Sequence, residues 1–538
     1  MTTAAAPVQP ASATRAALFD CGRFDAFEDW RDMAWWPVSI EETARLQQDW
    51  MRMVLDFALN EQDEEIVDSV LLGFAGLAPR SLPIAEAALV LQRARDMGAV
   101  LAGVPDEVSW LDGASNAATP PIDSIPHMPE LIAARHPLAK RLVLTARWNR
   151  PWQVPGALLS PDATVMVANQ FLNDEARQSS LVLSYRDAGA LVQATRARAG
   201  RPAATFDVAA VAQRFVSKAL EICPVSGDIR ERLSRVLFAK VDAVLRICGA
   251  DIAAIRHAER LPEAIWGGTG NAYALRVIAL EVLRRGGKVT LFDHGGTTAM
   301  LRAADAFATR ELAVCTEYVM PSPGLARLQE LQESVERVRP LRSSRVAGGR
   351  GEKHLLQLPL RKSRSVRARP RVVYVTAVTR GLHRTGAVPL PDSVYVEWQL
   401  RVAEALLQMP VDLVCKPHPA GAFSGRRHPL ESVAPTTYVP FEETMPDADV
   451  FVFDRCASTT FWESVCTDRP IVYLDMQMLS LAKEVRPMFD RRCRSVPVHF
   501  DALNRPQFDA DAFREAVLGA TEAADPTEFQ QLLIDEIA

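Results

Sequence analysis

The stretch DVFVFDRCASTTFWESVCTDRPIVYLD (449–475) combines two strand patterns with one helix pattern. The runs DVFVFD (449–454) and PIVYLD (470–475) are rich in β-branched and apolar residues, which is typical of buried strands. Between them, TTFWESVC (459–466) has helical spacing and follows a turn. A strand–helix–strand unit of this length favours a parallel sheet covered by helices, and the fold class we predict is therefore α/β.

The same alternation extends outward along the chain in both directions. The later half adds a strand at RVVYVTAV (371–378), a helix at 392–408 and a strand at VDLVCK (411–416). An earlier half begins with strand-like runs at LVLTARW (142–148) and TVMVANQFL (164–172), followed by predicted helices at 208–222 and 229–249. Further along this half, strands are predicted at EAIW (263–266), KVTLFD (288–293) and ELAVCTEYVM (311–320), with a helix at 272–287. Two Rossmann-like domains are the expected architecture.

The segments before and between these halves differ in pattern. Amphipathic helices are predicted at 40–59 and 84–97, and ten basic residues with a single acid lie between Leu341 and Arg371. We therefore expect four segments: an N-terminal helical module (1–125), a first Rossmann-like acceptor domain (126–340), a basic linker (341–370) and a second Rossmann-like nucleotide-donor domain (371–538).

Composition restricts the class of protein. The 538 residues carry a net charge of −5, which excludes a chain-wide basic footprint for nucleic acid. Apolar stretches long enough to span a membrane are not found, and the N-terminus lacks the pattern of a signal peptide. Eight cysteines without a C-x-x-C pair indicate neither a disulfide framework nor a zinc site. A cytoplasmic protein is the expectation.

Lys416-Pro417-His418-Pro419 directly follows the predicted strand VDLVCK. Ligands of parallel α/β sheets bind beyond the carboxyl ends of the strands, which is where this tetrapeptide lies. The prolines keep the backbone extended, so the histidine is presented in a fixed direction. An imidazole there can act as an acid or an electrostatic stabiliser for a phosphate leaving group. The alternative is a stiff surface turn with an incidental histidine.

Ser458, Thr459 and Thr460 stand between a predicted strand and the helix that follows. Ser458 or Thr459 would cap this helix, whose free N–H groups form an anion site. Glu463 lies one turn inside, where a carboxylate can accept hydrogen bonds from ribose hydroxyls. An ordinary cap, with a glutamate favoured by the helix dipole, is the alternative.

Asp293-His294-Gly295-Gly296 ends the strand KVTLFD in the earlier half. Either Asp293 or His294 could deprotonate an acceptor hydroxyl, and Gly295 and Gly296 permit close approach of a substrate. A turn with a surface histidine is equally compatible with the sequence.

Two further candidates are less specific. Gly267, Gly268 and Gly270 lie in a strand-to-helix turn that could cradle a phosphate or sugar, although Tyr273 replaces the third glycine of the dinucleotide fingerprint. Arg380 follows the strand RVVYVTAV at the sheet end where an acidic donor would bind. A tight turn and a solvated basic loop are the respective alternatives.

The order HG, KPHP and S-T-T-x-x-E resembles that of bacterial surface-carbohydrate transferases, over residues 263–475. These include capsule Kdo transferases, CDP-glycerol glycerophosphotransferases and HP-motif sialyltransferases. The resemblance implies a GT-B-like fold and a cytidine-nucleotide donor. It also implies that His418 serves the donor phosphate and that Ser458 and Thr459 hold that phosphate. The donor-binding set then comprises Lys416, Ser458, Thr459, Thr460, Glu463 and Arg380.

The resemblance leaves the acceptor base open. Sialyltransferases of this kind use an acidic residue before glycine, whereas the glycerophosphotransferases carry His-Gly. In this chain Asp293 and His294 are adjacent, and His294 replaces the second acidic residue of the sialyltransferase form.

The function expected from this resemblance is inverting transfer of a 2-keto sugar acid (Kdo, sialic acid or another nonulosonic acid) from a CMP donor. The acceptor would be a carbohydrate, a lipid-linked glycan or a protein. Alternatives are a CDP-glycerol-type glycerophosphotransferase, a nucleotide-sugar epimerase and a non-catalytic GT-B scaffold.

The expected cofactors and partners follow from this function. No metal or other cofactor is expected, because His418 and the helix dipole would replace a metal at the phosphate. Nucleic acid is not an expected partner. The basic run at 341–371 suggests peripheral contact with the inner membrane face, with a solvated linker as the alternative.

Overall fold

Strands and helices alternate along most of the chain and form two largely parallel six-stranded sheets. The structure is a computed structural model that describes residues 15–77, 81–115, 137–200, 202–294, 298–351, 368–379, 390–520 and 522–534. The fold is mixed α/β with parallel sheets, as the sequence predicts.

The N-terminal part is helical, with one small two-stranded parallel sheet. Its elements are β1 (Ala16–Leu18), α1 (Ile40–Asn60), α2 (Glu64–Leu77), α3 (Leu82–Asp96), β2 (Val100–Ala102) and α4 (Asp106–Asp112). The first helix begins where the Ser39 side chain accepts a hydrogen bond from the backbone N–H of Glu42. Such a cap satisfies one of the donors that a helix start leaves unpaired.

The first large sheet has the strand order β4-β3-β5-β6-β7-β8, with every neighbouring pair parallel. The elements of this half are α5 (Pro137–Trp148), α6 (Val154–Leu159), β3 (Ala163–Val167), α7 (Gln170–Gln178), β4 (Leu183–Tyr185), α8 (Ala188–Ala199), α9 (Val208–Ile222), α10 (Gly227–Arg256), β5 (Ala264–Gly267), α11 (Tyr273–Arg284), β6 (Lys288–Phe292), α12 (Ala304–Arg310), β7 (Glu317–Met320), α13 (Pro323–Ala326), α14 (Gln329–Val338) and β8 (Arg345–Gly348).

The second sheet has the order β10-β9-β11-β12-β13-β14, and its last pair is antiparallel. The elements of this half are β9 (Arg371–Val375), α15 (Asp392–Leu407), β10 (Asp412–Lys416), α16 (Phe441–Thr444), β11 (Val450–Phe453), α17 (Thr459–Val465), β12 (Ile471–Asp475), α18 (Val485–Arg492), β13 (Cys493–Phe500), β14 (Pro506–Phe508), α19 (Ala510–Leu518) and α20 (Thr527–Ile534).

The N-terminal helices share a core with the first half. Helix α10 packs against α2, α3 and α9, and α1 also packs against α9. Buried apolar residues of these helices and of both sheets form one continuous cluster. Because a helix buries its apolar stripe against any neighbour that offers one, helices far apart in sequence join the same core. The predicted domain boundaries stay a prediction.

The segment before α1 contacts the second half instead. The Arg31 guanidinium pairs with the Glu404 carboxylate on α15 at 2.7 Å. The backbone N–H of Trp36 donates to the Leu503 carbonyl, and the Asn504 side chain donates to the Trp36 carbonyl at 2.8 Å. The chain therefore passes from the second half to the first between Trp36 and α1.

The last helix returns to the first half. Helix α20 packs against α13, and the Ser322 hydroxyl donates to the Leu532 carbonyl. A Cβ on Gly324 would lie 2.8 Å from that same carbonyl oxygen, and one on Gly351 would lie 2.5 Å from the Ile534 carbonyl oxygen. Glycine at these two positions is what allows α20 to approach so closely.

Several local sequence predictions are wrong in whole or in part. The predicted strands 164–172 and 311–320 are too long, because 170–172 belong to helix α7 and 312–314 form a 3-10 turn before β7. The run 142–148 is part of helix α5 and not a strand, since its inward side chains, Thr145 and Trp148, are three residues apart. Residues Arg345–Gly348, inside the predicted linker, form the edge strand β8. A four-residue strand with only Val346 and Ala347 between its ends gives little periodicity to detect.

None of the helices in the described ranges is both long and apolar enough to cross a membrane. All eight cysteines are buried free thiols. Their burial agrees with packing roles, because reactive cysteines are partly exposed.

Arg276 on α11 ties the N-terminal helices to the first sheet. Its side chain is completely buried, and burial lowers the pKa of its guanidinium to about 10. The guanidinium donates to the carbonyls of Leu71 on α2, Gly270, Thr309 and Arg310. Three separate segments therefore depend on one side chain for their hydrogen bonds.

We expect Arg276→Met to lower the free energy of unfolding by about 3 kcal/mol or more, because several buried carbonyls lose a charged donor. Urea denaturation measures this loss. The control is Arg246→Met on α10, whose exposed pair with Asp242 should contribute little to stability. Equal losses in the two variants would contradict the role given to Arg276.

Candidate functional site

The connections that leave the carboxyl ends of β6 and β12 pair with each other. Leu301 and Leu481 form an antiparallel bridge, and the flanking backbone hydrogen bonds join Arg302 to Ser480 and Ala482 to Met300, each at 2.9 Å. In parallel sheets ligands bind beyond the carboxyl ends of the strands. The carboxyl edges of the two sheets are thus joined by backbone contacts.

Asn169 organises the carboxyl edge of the first sheet. Its Oδ1 accepts from the Leu172 N–H at 2.7 Å and so caps α7. Its Nδ2 donates to the carbonyls of Gly268 at 2.8 Å and Asp293 at 2.7 Å. One side chain therefore joins the ends of β3, β5 and β6. Sequence analysis missed it, although an asparagine before a helical run is a recognised start signal.

The predicted glycine loop is packed against the protein itself. A Cβ would lie 2.5 Å from Leu275 Cδ2 at Gly267, 2.8 Å from the Asn169 nitrogen at Gly268, and 2.5 Å from the Arg310 carbonyl oxygen at Gly270. Close packing accounts for glycine at all three positions. That the loop cradles a phosphate stays a prediction.

The amide of Gly270 already has an anionic partner. It donates to the carboxylate of Glu311, which is fully buried, and burial raises the pKa of this carboxyl. A carboxylate of the protein thus occupies one of the N–H groups that a phosphate would need.

Asp293 and His294 have different environments. Asp293 is 1% exposed, and its carboxylate accepts a hydrogen bond from the Tyr318 hydroxyl at 2.9 Å. His294 is exposed. Since a base must reach the proton it removes, the geometry favours His294 over Asp293 for contact with an acceptor. Gly295 and Gly296 lie outside the described residues.

Lys416 is buried, whereas His418, two residues later, is exposed. The Lys416 ammonium is buried and donates to the Val439 carbonyl, and burial lowers its pKa. His418 is exposed, and its Nδ1 accepts from the Ala420 N–H at 3.1 Å. This contact leaves the proton of the neutral ring on Nε2. Lys416 therefore fixes the loop, and His418 is the residue of the pair that can meet a ligand.

Ser458 acts as a helix cap. Its hydroxyl accepts from the Phe461 N–H at 3.2 Å and lies 3.0 Å from the Thr460 hydroxyl. Thr459, between them, is exposed. The cap interpretation of Ser458 is confirmed, and Thr459 is the hydroxyl of this turn that faces outward.

Glu463 titrates near neutrality. Burial, and next the charge of Glu442, raise the pKa of its carboxyl to about 7. The charge of the same Glu442 also acts on Lys416 at the end of β10, so Glu463 and Lys416 both lie within its electrostatic influence. A carboxyl in this state is partly protonated at neutral pH, and its ionised form can accept hydrogen bonds from ribose hydroxyls.

Asp454 forms a buried network that sequence analysis did not predict. Its carboxylate is 1% exposed and accepts from the hydroxyls of Tyr374 at 2.7 Å and Tyr395 at 2.8 Å, and from Trp398 Nε1 at 3.1 Å. Burial raises the pKa of this carboxyl, whereas these donors lower it. The network fixes the turn that follows β11.

Arg455 follows Asp454 and has unused donors. Its guanidinium lies over the Tyr395 ring at 4.4 Å, and Nε and Nη2 are buried without a hydrogen-bond partner. Thr376, directly after β9, also has a buried hydroxyl without a hydrogen-bond partner. The switch in strand order falls between β9 and β11, where ligands of such sheets bind. Unsatisfied buried donors at this position fit an anionic ligand.

The remaining candidate residues and cavities add no further group to this candidate site. Arg380 lies outside the described residues. A cavity of about 1080 Å³ lies beside the Leu301–Leu481 bridge, between α1, α12 and α14, and none of the predicted site residues lines it. Within the described ranges no group of three or more His, Cys, Asp or Glu residues is arranged to hold a metal ion.

Comparison with protein-family models gives no match for this chain, and no curated protein matches it significantly.

We expect Gly268→Ala to destabilise the fold by about 1–3 kcal/mol, because the added methyl group would overlap the Asn169 backbone. The control is Gly156→Ala, where nothing lies within 4 Å of the added carbon. Thermal unfolding compares the two. A stable Gly268→Ala protein that lost nucleotide binding would instead assign this glycine to a ligand.

The raised pKa of Glu463 gives a pH-dependent stability. The folded state holds the proton more tightly than the unfolded chain, so stability is retained below about pH 4.5 and falls as pH rises toward 7. Glu463→Gln should therefore be more stable than wild type by about 1–3 kcal/mol at pH 7.5 and nearly equal at pH 5. Urea denaturation at both pH values tests this.

Glu443→Gln is the matched control, because Glu443 is exposed on α16 beside Glu442. It should show the same small effect at both pH values. A Glu463→Gln effect that does not change between pH 5 and pH 7.5 would contradict the assignment.

Proposed function

We propose that this protein is a GT-B-type glycosyltransferase that transfers a 2-keto sugar acid from a CMP donor to a hydroxyl acceptor. The observation that carries the proposal is Arg455, whose buried and unpaired nitrogens stand at the strand switch of the second sheet. Charged donors without a partner are costly to bury, and a ligand phosphate would satisfy them.

The donor phosphate is bound by the second half. Arg455 supplies a fixed positive charge, and His418 supplies its Nε2–H. Thr459 offers an outward hydroxyl at the start of α17, and Glu463 binds the ribose of the nucleotide. Ser458 and Lys416 act indirectly, because their polar atoms hold the helix start and the loop in position.

The acceptor is activated by the first half. His294 takes the proton from the acceptor hydroxyl, and the oxygen attacks the anomeric carbon of the sugar acid. The bond between that carbon and the phosphate oxygen breaks, and its electron pair leaves with CMP. Arg455 and His418 stabilise the charge that develops on the phosphate. Direct displacement by one acceptor inverts the anomeric centre.

The exposure of His294 and the burial of Asp293 support a second candidate. A transferase that moves glycerol phosphate from CDP-glycerol would use a histidine before glycine as its base. In that reaction the acceptor oxygen attacks the glycerol-bearing phosphorus and CMP leaves. The two candidates share the acceptor base and the cytidine nucleotide, and they differ in the bond that breaks.

Nucleotide binding tests the proposal directly. CMP at 100 times its dissociation constant should stabilise the folded protein by about 2.7 kcal/mol, seen as a raised thermal midpoint. We expect His418→Ala and Arg455→Gln each to weaken CMP binding about tenfold or more, because each removes a charged or polar donor to the phosphate. Calorimetric titration gives the dissociation constants.

Exposed residues of the same types serve as controls. His499→Ala on β13 and Arg427→Gln after β10 should leave CMP binding unchanged. A preference for UDP or GDP would overturn the donor assignment and keep the class of enzyme. Turnover of a nucleotide-sugar without an acceptor would indicate an epimerase. Failure of every nucleotide to bind would indicate a scaffold.

A further inference from the structure

Helices α5 and α6 and the turn between them present an exposed apolar surface, which we call the α5–α6 face. Five large apolar side chains within 22 residues are more than half exposed: Leu138 (74%), Leu142 (51%), Val143 (67%), Trp152 (71%) and Leu159 (87%). Single exposed apolar residues are ordinary, but a concentration of this kind marks an interaction surface.

The orientation of this surface is fixed from the inside. Thr145 and Trp148 are buried, and the Thr145 hydroxyl accepts from the Tyr185 N–H on β4 at 3.0 Å. Asn149 exchanges two hydrogen bonds with Leu183, at 2.6 and 3.0 Å. Because α5 is attached to the edge strand of the sheet by these contacts, its apolar residues are held outward.

The charged residues of the α5–α6 segment itself are all basic. Between residues 137 and 161 there is no acidic residue, whereas there are four basic residues, Lys140, Arg141, Arg147 and Arg150. Lys140 lies near Asp187, and Arg141 donates to the Leu158 carbonyl. Arg147 and Arg150 are exposed, and Arg150 lies over the Trp152 ring at 5.5 Å. Two exposed arginines therefore lie beside the apolar side chains, and the nearest acidic residue along the chain, Asp162, follows the segment.

We propose that the α5–α6 face binds the surface of an anionic lipid bilayer. Leucine, valine and tryptophan side chains beside arginines are what an interfacial helix inserts at the boundary of headgroups and acyl chains. Tryptophan prefers this depth, and arginine is attracted by anionic headgroups. The absence of acidic residues over 137–161 favours this occupant over a second copy of the chain, whose own face would repel it.

This proposal is independent of the proposed function. Membrane binding would hold even if the protein were a scaffold, and nucleotide binding would hold even if the face bound another surface. For an acceptor in the membrane, membrane binding would bring the protein to the acceptor, and nucleotide binding would supply the donor.

Vesicle flotation tests the proposal with the full-length protein. We expect binding to vesicles of phosphatidylglycerol and phosphatidylcholine (1:1), and at least tenfold weaker binding to phosphatidylcholine alone. The pair Trp152→Ser and Leu159→Ser should reduce binding to the anionic vesicles at least tenfold. The pair Arg147→Gln and Arg150→Gln should remove most of the preference for the anionic vesicles.

The matched control is the pair Ile247→Ser and Leu407→Ser, which changes exposed apolar residues on α10 and α15 and should leave binding unchanged. Equal thermal midpoints of all variants show that folding is retained. Two results would overturn the proposal: no binding to anionic vesicles, or binding that the Trp152 and Leu159 changes do not weaken. Sedimentation showing a dimer that these changes dissociate, without vesicle binding, would assign the face to a second copy.

Discussion

The short backbone pairing between Leu301 and Leu481 joins the carboxyl edges of the two sheets, where the candidate residues lie. Each partner lies on a connection that leaves the carboxyl end of a strand, one in each sheet. Because backbone groups make this contact, its geometry does not depend on the side chains present. His294 and the residues that follow β11 are carried by the edges that this pairing joins. Other contacts also join the halves, among them Ser322 with Leu532, but this pairing lies at the edges where the candidate residues stand.

The second half was the easier part of the fold to predict. Its strands are runs of valine, isoleucine, phenylalanine and tyrosine that end at polar residues, so β9 to β12 were all expected and differ from the predicted bounds by at most three residues. Helix α5 was misread because Thr145 and Trp148 make a strand-like composition in a segment whose burial is helical. The burial pattern depends on which side faces β4, which no local signal reveals.

The sequence predicts a candidate location for the site more readily than the environment of each residue in it. The rule that ligands bind at carboxyl ends directed attention to the loops that follow the strands. It could not show that Asp293 is buried against Tyr318 while His294 is exposed, since that difference depends on β7. Arg455 was missed for the same reason. That its guanidinium lies over the ring of Tyr395, sixty residues earlier in the chain, can be known only from the three-dimensional structure.

The position of helix α20 affects the order in which parts of the chain can fold during synthesis. It contains the last described residues, yet it packs against α13 of the first half through Ser322 and the close approach at Gly324. During synthesis the ribosome delivers this helix after all the strands and helices of the first half. The surface around α13 therefore stays uncovered until α20 has been synthesised.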